Sequence, residues 1–315
     1  MLLHPRAILA LTPTLSRRGR EKYRHGKPRG TPASAAKPVR EIPRNWLCQA
    51  AGIAPCKGGA TLYDSLAAGQ GVEPLAFVAS IWGESLPHDV RWTGRDAGYR
   101  VAATDLRTDN VADTLAAHGE RLACFTMDVS DIVQVHAACD QIEAHFGRID
   151  VCVNNAGFLQ YANCEQTTPE LWHKTLRVNL DGVFYVSQRV APGMKVRGFG
   201  RIVNMASFGA KTGGLSPLPA YAASKGGVIS LTFSFAREYA PFGVTCNALA
   251  PTFVKTQMLT EQVSPERQAE LRQKIPVGRF CELEELAHSV LFLAHPLSGF
   301  ITGEVLDLNG GLQFD

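Results

Sequence analysis

The chain has 315 residues, of which 45% are hydrophobic and 19% are charged, and its formal net charge is +3. Residues 1–60 hold twelve Lys and Arg residues against two acids, so the rest of the chain carries a net charge of −7. That balance does not favour a nucleic-acid surface on the folded part, and no apolar run approaches the about 20 residues that span a bilayer. Neither a nucleic-acid nor a membrane partner is expected.

Residues 1–73 have a different composition from the rest of the chain. Pro, Arg, Ser and Gly recur there without a helical or strand period, as in Arg17–Arg20 and Lys27–Gly30. Such a segment buries too little apolar surface to offset the entropy of ordering it, so we predict a disordered extension. An organelle transit peptide, an RNA-binding arm and a stretch that is not natural coding sequence are the alternatives.

From residue 74 to residue 315, strand-like and helix-like runs alternate in what we predict to be one domain. Non-alternating apolar strands are buried on both faces, which predicts a parallel sheet covered by helices. The fold class is therefore α/β, a doubly wound parallel sheet of the Rossmann type. The predicted strands are Leu75–Val78, Arg100–Thr104, Leu122–Met127, Ile149–Asn154, Arg201–Met205, Val244–Ala250 and Glu304–Leu308. The predicted helices include Asp131–Phe146, Glu170–Val190, Ala222–Tyr239 and Leu283–Leu293.

The eight cysteines are scattered, without a Cys-x-x-Cys pair or a His/Cys cluster at metal-ligand spacing. Cys124, Cys152 and Cys246 lie in apolar, strand-like runs. They predict buried thiols in a reducing compartment rather than nucleophiles. The sequence therefore predicts a cytoplasmic protein without a metal site.

Polar residues that could carry chemistry follow several predicted strands. They are Asn154-Asn155-Ala156-Gly157, Asn179, Ser207, and Tyr221 with Lys225 in Tyr-Ala-Ala-Ser-Lys. Alone, each has an ordinary structural explanation, such as a turn, a helix cap or a surface pair. Their joint order and spacing resemble the short-chain dehydrogenase/reductase family, and the resemblance runs from about Gly98 to Asp315.

The resemblance implies a hydride transfer between a nicotinamide cofactor and a carbonyl or secondary alcohol. Tyr221 can donate a proton to the carbonyl oxygen, but a free phenol with a pKa near ~10 is poorly matched to neutral pH. Lys225 lies four residues later on the same helix face, where its positive charge favours the phenolate. Ser207 can hold the substrate oxygen. By resemblance, Lys225 also binds the nicotinamide ribose, and Asn179 holds a water that relays protons to Lys225.

Further residues are predicted to bind the cofactor. Asp105 ends the second strand, where a carboxylate accepts hydrogen bonds from the adenosine ribose and repels a 2′-phosphate. NAD is therefore favoured, with NADP open because Arg107 could neutralise that phosphate. By resemblance, adenine contacts Asp128 and Val129, and Asn155, Ala156 and Gly157 form the turn beside it. The nicotinamide is lined by Pro251, Thr252, Val254 and Thr256, with Thr252 where the family usually has glycine.

The phosphate-binding turn of the family is missing from the predicted position. Residues 79–96 do not hold its glycines, although a Cβ blocks the close approach of backbone to a pyrophosphate. The length of the interval is preserved while its pattern is lost. One hypothesis is that Ala79–Asp96 is read in the wrong frame.

Two functions remain open on the sequence. The first is an active oxidoreductase, most like a 3-oxoacyl-thioester reductase, with a sugar or secondary-alcohol dehydrogenase as the other substrate class. The second is a catalytically impaired scaffold subunit. Gln160, Tyr161 and Phe208–Leu218 are expected to line the substrate pocket under a lid around Met258–Leu271. The resemblance also implies a homotetramer, which pairs through Glu170–Val190 and the helix of Tyr221.

Overall fold

The computed structural model of the protein describes residues 99–106, 122–255 and 263–314, together with the backbone of residues 76–80. The predictions for residues 1–73, the phosphate turn, Arg107 and Thr256 fall outside these residues, apart from the backbone of residues 79 and 80.

A seven-stranded sheet forms the centre of the described residues, with strand order β3-β2-β1-β4-β5-β6-β7. All of its neighbouring strands are parallel. The order reverses between β1 and β4, so the carboxyl ends of these strands flank a topological switch point, where ligands bind in such sheets. The strands are β1 Ala76–Ser80, β2 Arg100–Asp105, β3 Leu122–Thr126, β4 Val151–Asn154, β5 Gly200–Met205, β6 Val244–Pro251 and β7 Val305–Leu308. The predicted α/β fold class is confirmed, and each predicted strand is present.

Seven α-helices follow in chain order within the described residues. They are α1 Ile132–Phe146, α2 Pro169–Leu176, α3 Gly182–Arg197, α4 Phe208–Thr212, α5 Pro219–Tyr239, α6 Pro265–Lys274 and α7 Leu283–Ala294. Short 3₁₀ turns occupy Ala240–Phe242 and Pro296–Ser298. Local signals set several ends: Asp131 caps α1 by accepting from the amides of Val133 and Gln134, and Gly147 ends it with φ of 83°.

The predicted helix Glu170–Val190 is not continuous. A π-helical segment, Arg177–Asp181, separates α2 from α3. Gly182 is the first residue of α3, and glycine allows the close approach to Val129, since a Cβ there would lie 2.8 Å from its Cγ2. The prediction of one regular helix was therefore wrong at this point, and the irregular turn carries Asn179.

Two apolar layers cover the sheet. One packs α1, α3 and α5 against one face, through residues such as Ile142, Met194 and Phe235. The other packs α7 on the opposite face, through Leu286, Val290 and Leu293. None of the helices described has the length and apolar character that a bilayer crossing requires.

Candidate active site

A cavity of about 290 Å³ opens at the carboxyl ends of β4, β5 and β6. It contains the segments that follow these strands, as expected for a parallel α/β sheet. Residues lining it include Asn155, Gly157, Phe158, Leu159, Tyr161, Ser207, Phe208, Leu215, Leu218, Tyr221, Lys225, Pro251, Thr252, Phe253, Val254 and Leu286. The cavity thus brings together most of the predicted catalytic and nicotinamide-contacting residues, and Leu159 rather than Gln160 lines it.

Ser207 and Tyr221 meet inside this cavity. Ser207 follows β5 and caps α4, where its hydroxyl accepts a hydrogen bond from the Gly209 amide at 3.1 Å. Tyr221 lies in the first turn of α5, which begins at Pro219. Burial raises the pKa of the Tyr221 phenol, while a hydrogen bond with Ser207 acts in the opposite direction. The two hydroxyls therefore form one hydrogen-bonded pair that faces the cavity.

Lys225 is buried one turn further along α5, with an exposed fraction of 3%. Its Nζ donates to the Met205 carbonyl at 2.6 Å and lies 5.9 Å from the centroid of the Tyr221 ring. Burial lowers the pKa of Lys225 to about 8. The ammonium group thus lies in the same buried site as the Tyr221 ring, but burial keeps the pKa of the phenol raised, not lowered as the sequence predicts.

Asn179 is fully buried, at 0% exposure, in the π-helical segment. Its Oδ1 accepts from the Phe158 amide at 2.6 Å, and its Nδ2 donates to the Phe158 carbonyl at 2.9 Å. Nδ2 also donates to Ser224 Oγ at 3.1 Å, and Ser224 in turn donates to the Tyr221 carbonyl at 2.7 Å. Asn179 therefore links the loop after β4 to the helix that carries Tyr221 and Lys225.

A second cavity, of about 620 Å³, lies towards β2 and β3. Leu106, Asp128, Val129, Ala156 and Phe158 are among its lining residues. Asp128 Oδ1 accepts from both the amide and the hydroxyl of Ser130, at 2.8 and 2.7 Å. Phe158 lines both cavities, so the two are neighbours along the carboxyl edge of the sheet.

Asp105 ends β2 beside this second cavity. Its Oδ1 accepts from the Leu106 amide at 2.6 Å, and its carbonyl accepts from the Met127 amide at 2.8 Å. Leu106, the next residue, lines the cavity. The carboxylate therefore bonds to the amide of the next residue at the end of the strand.

Thiol and metal chemistry find no support among the described residues. Burial raises the pKa of Cys139 to about 11 and that of Cys246 to about 12. Cys152 is buried as predicted and Cys124 is half-buried. No group of three His, Cys, Asp or Glu side chains suited to a metal ion occurs in this part of the chain.

Comparison with known proteins agrees with this geometry. A family model described as enoyl-(acyl carrier protein) reductase matches residues 93–313, which is more than half of the chain. The chain belongs to the short-chain dehydrogenase/reductase family. It is accordingly a nicotinamide-dependent oxidoreductase that acts on CH–OH groups or the matching carbonyls.

Three proteins show the extent of the similarity between this chain and other short-chain dehydrogenases/reductases. The chain is 38% identical to acetoacetyl-CoA reductase of Shinella zoogloeoides over 69% of this chain and 90% of the relative. It is 40% identical to D-threitol dehydrogenase of Mycolicibacterium smegmatis over 68% of this chain and 83% of the relative. A crystal structure of gluconate 5-dehydrogenase from Burkholderia cenocepacia, in complex with NADP and tartrate, aligns with a TM-score of 0.69 at 33% identity, covering 75% of this chain and 94% of that one.

The residues at both cavities fit an extended dinucleotide. In the second cavity, a polar group, a small residue and an apolar wall meet in Asp128, Ala156 and Val129. In the first cavity, a Cβ at Gly157 would lie in ordinary van der Waals contact with Asn179 Oδ1 at 3.7 Å and with Lys225 Nζ at 3.8 Å. The segment expected to hold the diphosphate lies outside the described residues.

Sequence reasoning missed three parts of the site. The π turn around Asn179 has no signal in the apolar pattern, which continues through it. The short helix α4 begins directly after Ser207, and a serine before a short turn is too common a pattern to predict a helix. Helix α6 occupies Pro265–Lys274 and overlaps the last part of the segment Met258–Leu271 that is expected to form a lid; residues 258–262 of that segment lie outside the described residues. Its Ser264 cap with Pro265 could have indicated the helix.

Proposed function

We propose that this chain reduces the keto group of a 3-oxoacyl thioester. The observation that carries the proposal is the composition of the catalytic cavity. Asn155, Tyr161, Ser216 and Thr252 add polar groups to those of Ser207 and Tyr221. Apolar side chains are nevertheless the larger part of the wall, and Lys225 is the one charged side chain among the described residues that line it. A site that recognises a polyol needs several fixed polar partners for its hydroxyl groups, whereas an acyl chain needs an apolar wall.

The chemistry follows from the positions of the four catalytic residues. Ser207 and Tyr221 donate hydrogen bonds to the substrate oxygen, and Tyr221 transfers its phenolic proton to that oxygen as the alcohol forms. Lys225 stabilises the phenolate that remains, through its nearby positive charge. Asn179 holds the Phe158 backbone and, through Ser224, the helix of Tyr221. When bound, the nicotinamide cofactor supplies the hydride.

We propose NAD as the cofactor. The support is the Asp105 carboxylate at the end of β2, where a carboxylate would accept hydrogen bonds from ribose hydroxyls and repel a 2′-phosphate. The gluconate 5-dehydrogenase neighbour was crystallised with NADP, so both cofactors belong in the test. Adenine would contact Asp128 and Val129, and the nicotinamide would lie along Gly157, Pro251, Thr252 and Val254.

Two measurements test this proposal. The first is a calorimetric titration of the full chain with NADH and then with NADPH. The second compares kcat/KM for acetoacetyl-CoA with kcat/KM for D-threitol and gluconate. The proposal requires binding of NADH and a preference for the thioester. A preference for a polyol would contradict the proposed thioester substrate and favour a sugar or secondary alcohol. A folded chain that binds neither cofactor would support the catalytically impaired scaffold suggested by residues 79–96.

We further propose that the active form is a homotetramer. Two exposed aromatic side chains support it, Phe184 on α3 at 37% exposure and Phe233 on α5 at 46%. Exposed aromatic residues on neighbouring helices are typical of protein interfaces. Sedimentation equilibrium of the full chain reports its mass, and a monomer would contradict the proposal.

A further inference from the structure

Four polar side chains form a buried group beneath the catalytic cavity. They are Asn154 in β4, Ser187 in α3, Asn204 in β5 and Thr232 in α5, and none is more than 2% exposed. Asn154 and Asn204 are register partners on neighbouring strands. Burying polar groups is unfavourable unless each finds a partner, so the arrangement requires a physical reason.

The four side chains are joined by a continuous series of hydrogen bonds. Asn154 Nδ2 donates to Ser187 Oγ at 2.9 Å and to Asn204 Oδ1 at 2.8 Å. Asn204 Nδ2 donates to Thr232 Oγ1 at 2.9 Å and to Cys246 Sγ at 3.4 Å. Thr232 Oγ1 donates to the Val228 carbonyl at 2.8 Å. We call these four residues the buried amide network.

The bond from Thr232 to the Val228 carbonyl determines which group donates and which accepts in the rest of the network. Thr232 uses its single proton on the Val228 carbonyl, so towards Asn204 it can only accept. Asn204 must therefore turn its amino group to Thr232 and its oxygen to Asn154. Asn154 then donates with both of its amide protons. One arrangement satisfies the network, and it defines the rotation of each side chain.

Each member of the network lies next to an element that carries a catalytic group. Asn154 directly precedes the Asn155–Gly157 turn, and Asn204 directly precedes Met205, whose carbonyl accepts from Lys225 Nζ. Thr232 lies two helical turns beyond Lys225 on α5. Ser187 lies on α3, which continues directly from the π-helical segment of Asn179.

Packing alone does not account for these residues. Their neighbours in the same layer include Cys152, Ile202 and Cys246, all fully buried. Apolar side chains there would cover the sheet equally well, but they would permit small rotations of α3 and α5 that hydrogen bonds oppose. A fully satisfied buried polar network specifies one arrangement of the elements it joins.

We propose that Asn154, Ser187, Asn204 and Thr232 are positioning residues, which hold Lys225 and the Asn155–Gly157 turn in register for the reaction. The proposal rests on the proposed function for its effect on turnover. Its structural content, the placement of Lys225, can be measured without turnover.

The test uses Thr232, because it is the last member of the network and its hydroxyl and methyl groups can be removed separately. T232V removes the hydroxyl and leaves an Asn204 amide proton without that acceptor, whereas T232S keeps the hydroxyl. T245V is the matched control, since Thr245 is also buried and its Oγ1 has no hydrogen-bond partner among the described residues. N204L is a stronger variant that can fail to fold, and T232V avoids this difficulty.

Two readouts are compared across these variants of the full chain. The first is kcat with acetoacetyl-CoA and NADH. The second is the chemical shift of Lys225 Cε in lysine-labelled protein, assigned by its loss in K225M. We expect T232V to lower kcat about tenfold to a hundredfold with little change in KM, because small displacements of catalytic groups have effects of this size. T232V should also shift the Lys225 resonance. T232S and T245V should keep kcat within about twofold of the wild-type value.

The outcomes separate the two proposals. If T232V lowers the melting temperature but leaves kcat and the Lys225 resonance unchanged, the network is structural only and the positioning role is overturned. If the wild-type chain shows no turnover and the Lys225 resonance still responds to T232V but not to T245V, the proposed function fails and the positioning of Lys225 is supported.

Discussion

The proposed catalytic side and the proposed adenosine side of the cofactor site are built differently. On the catalytic side, Asn179 bonds to Phe158 and Ser224, and Lys225 bonds to Met205, all partners 20 to 45 residues away in the sequence. On the adenosine side, Asp105 bonds to the adjacent Leu106, and Asp128 bonds to Ser130, two residues away.

This difference distinguishes the residues proposed to carry out the reaction from the residues proposed to recognise the adenosine. Catalytic groups depend on a geometry that only the assembled fold supplies, since their partners come from other strands and helices. The carboxylates of Asp105 and Asp128 each accept a hydrogen bond from a residue one or two positions further along the chain, so part of their placement is local. We therefore expect variants on the catalytic side to affect turnover strongly, and variants on the adenosine side to affect cofactor preference modestly.

The largest effect is expected for Y221F. Loss of the phenolic proton should lower kcat by a factor of about 10² to 10⁴, while NADH affinity stays near the wild-type value. Steady-state kinetics and calorimetry measure the two quantities. Y185F, which makes the same change on α3, should leave kcat unchanged. Retained turnover in Y221F would remove Tyr221 from its proposed role.

A smaller effect is expected from pH. Because burial lowers the pKa of Lys225 to about 8, the ammonium group is charged below that pH and loses its charge as the pH rises through it. Tyr221 is the titratable group whose ring lies over it, with the centroid 5.9 Å from Nζ. The reduction rate of the wild-type chain should fall above about pH 8, since a neutral amine no longer stabilises the phenolate.

The variant K225M isolates this effect. It should be slower at neutral pH and should lack the decrease in rate above pH 8. A pH profile of kcat for both proteins makes the comparison. If K225M kept the same decrease, another group would be responsible for it.

The smallest effect is expected for D105A, on the adenosine side. Loss of a charge-assisted hydrogen bond should weaken NADH binding about tenfold and NADPH binding less, because the carboxylate also repels a 2′-phosphate. Calorimetric titration with both cofactors measures the ratio. D140A removes an exposed carboxylate on α1 and serves as the control. An unchanged ratio in D105A would mean that Asp105 only completes a turn.

Much of the fold could be predicted from the sequence, because buried parallel strands have a strong and local pattern. All seven predicted strands are present, and β1 differs by starting at Ala76 and ending at Ser80. The grouping of Ser207, Tyr221 and Lys225 was also predictable, since strand ends and a four-residue helical spacing bring them together. Their roles in the reaction remain proposals.

Other features could not be predicted because they depend on distant contacts. The apolar pattern of Glu170–Val190 does not reveal the π turn, which forms where α2 and α3 pack against Val129 and α5. The pairing of Asn154 with Asn204 depends on strand register, which becomes known only once the sheet order is known. Each asparagine alone is compatible with an ordinary strand end.

The π turn at Arg177–Asp181 has a consequence for how relatives can be compared. A π turn holds one more residue than an α turn, and each residue of a regular helix advances by about 100°. Deleting one residue there could restore a regular helix, but it would swing Asn179 away from Phe158 or turn Gly182 away from Val129. A gap placed in this segment of an alignment therefore predicts the loss of the Asn179–Phe158 hydrogen bonds or of the Gly182–Val129 contact, even when every motif around it is intact.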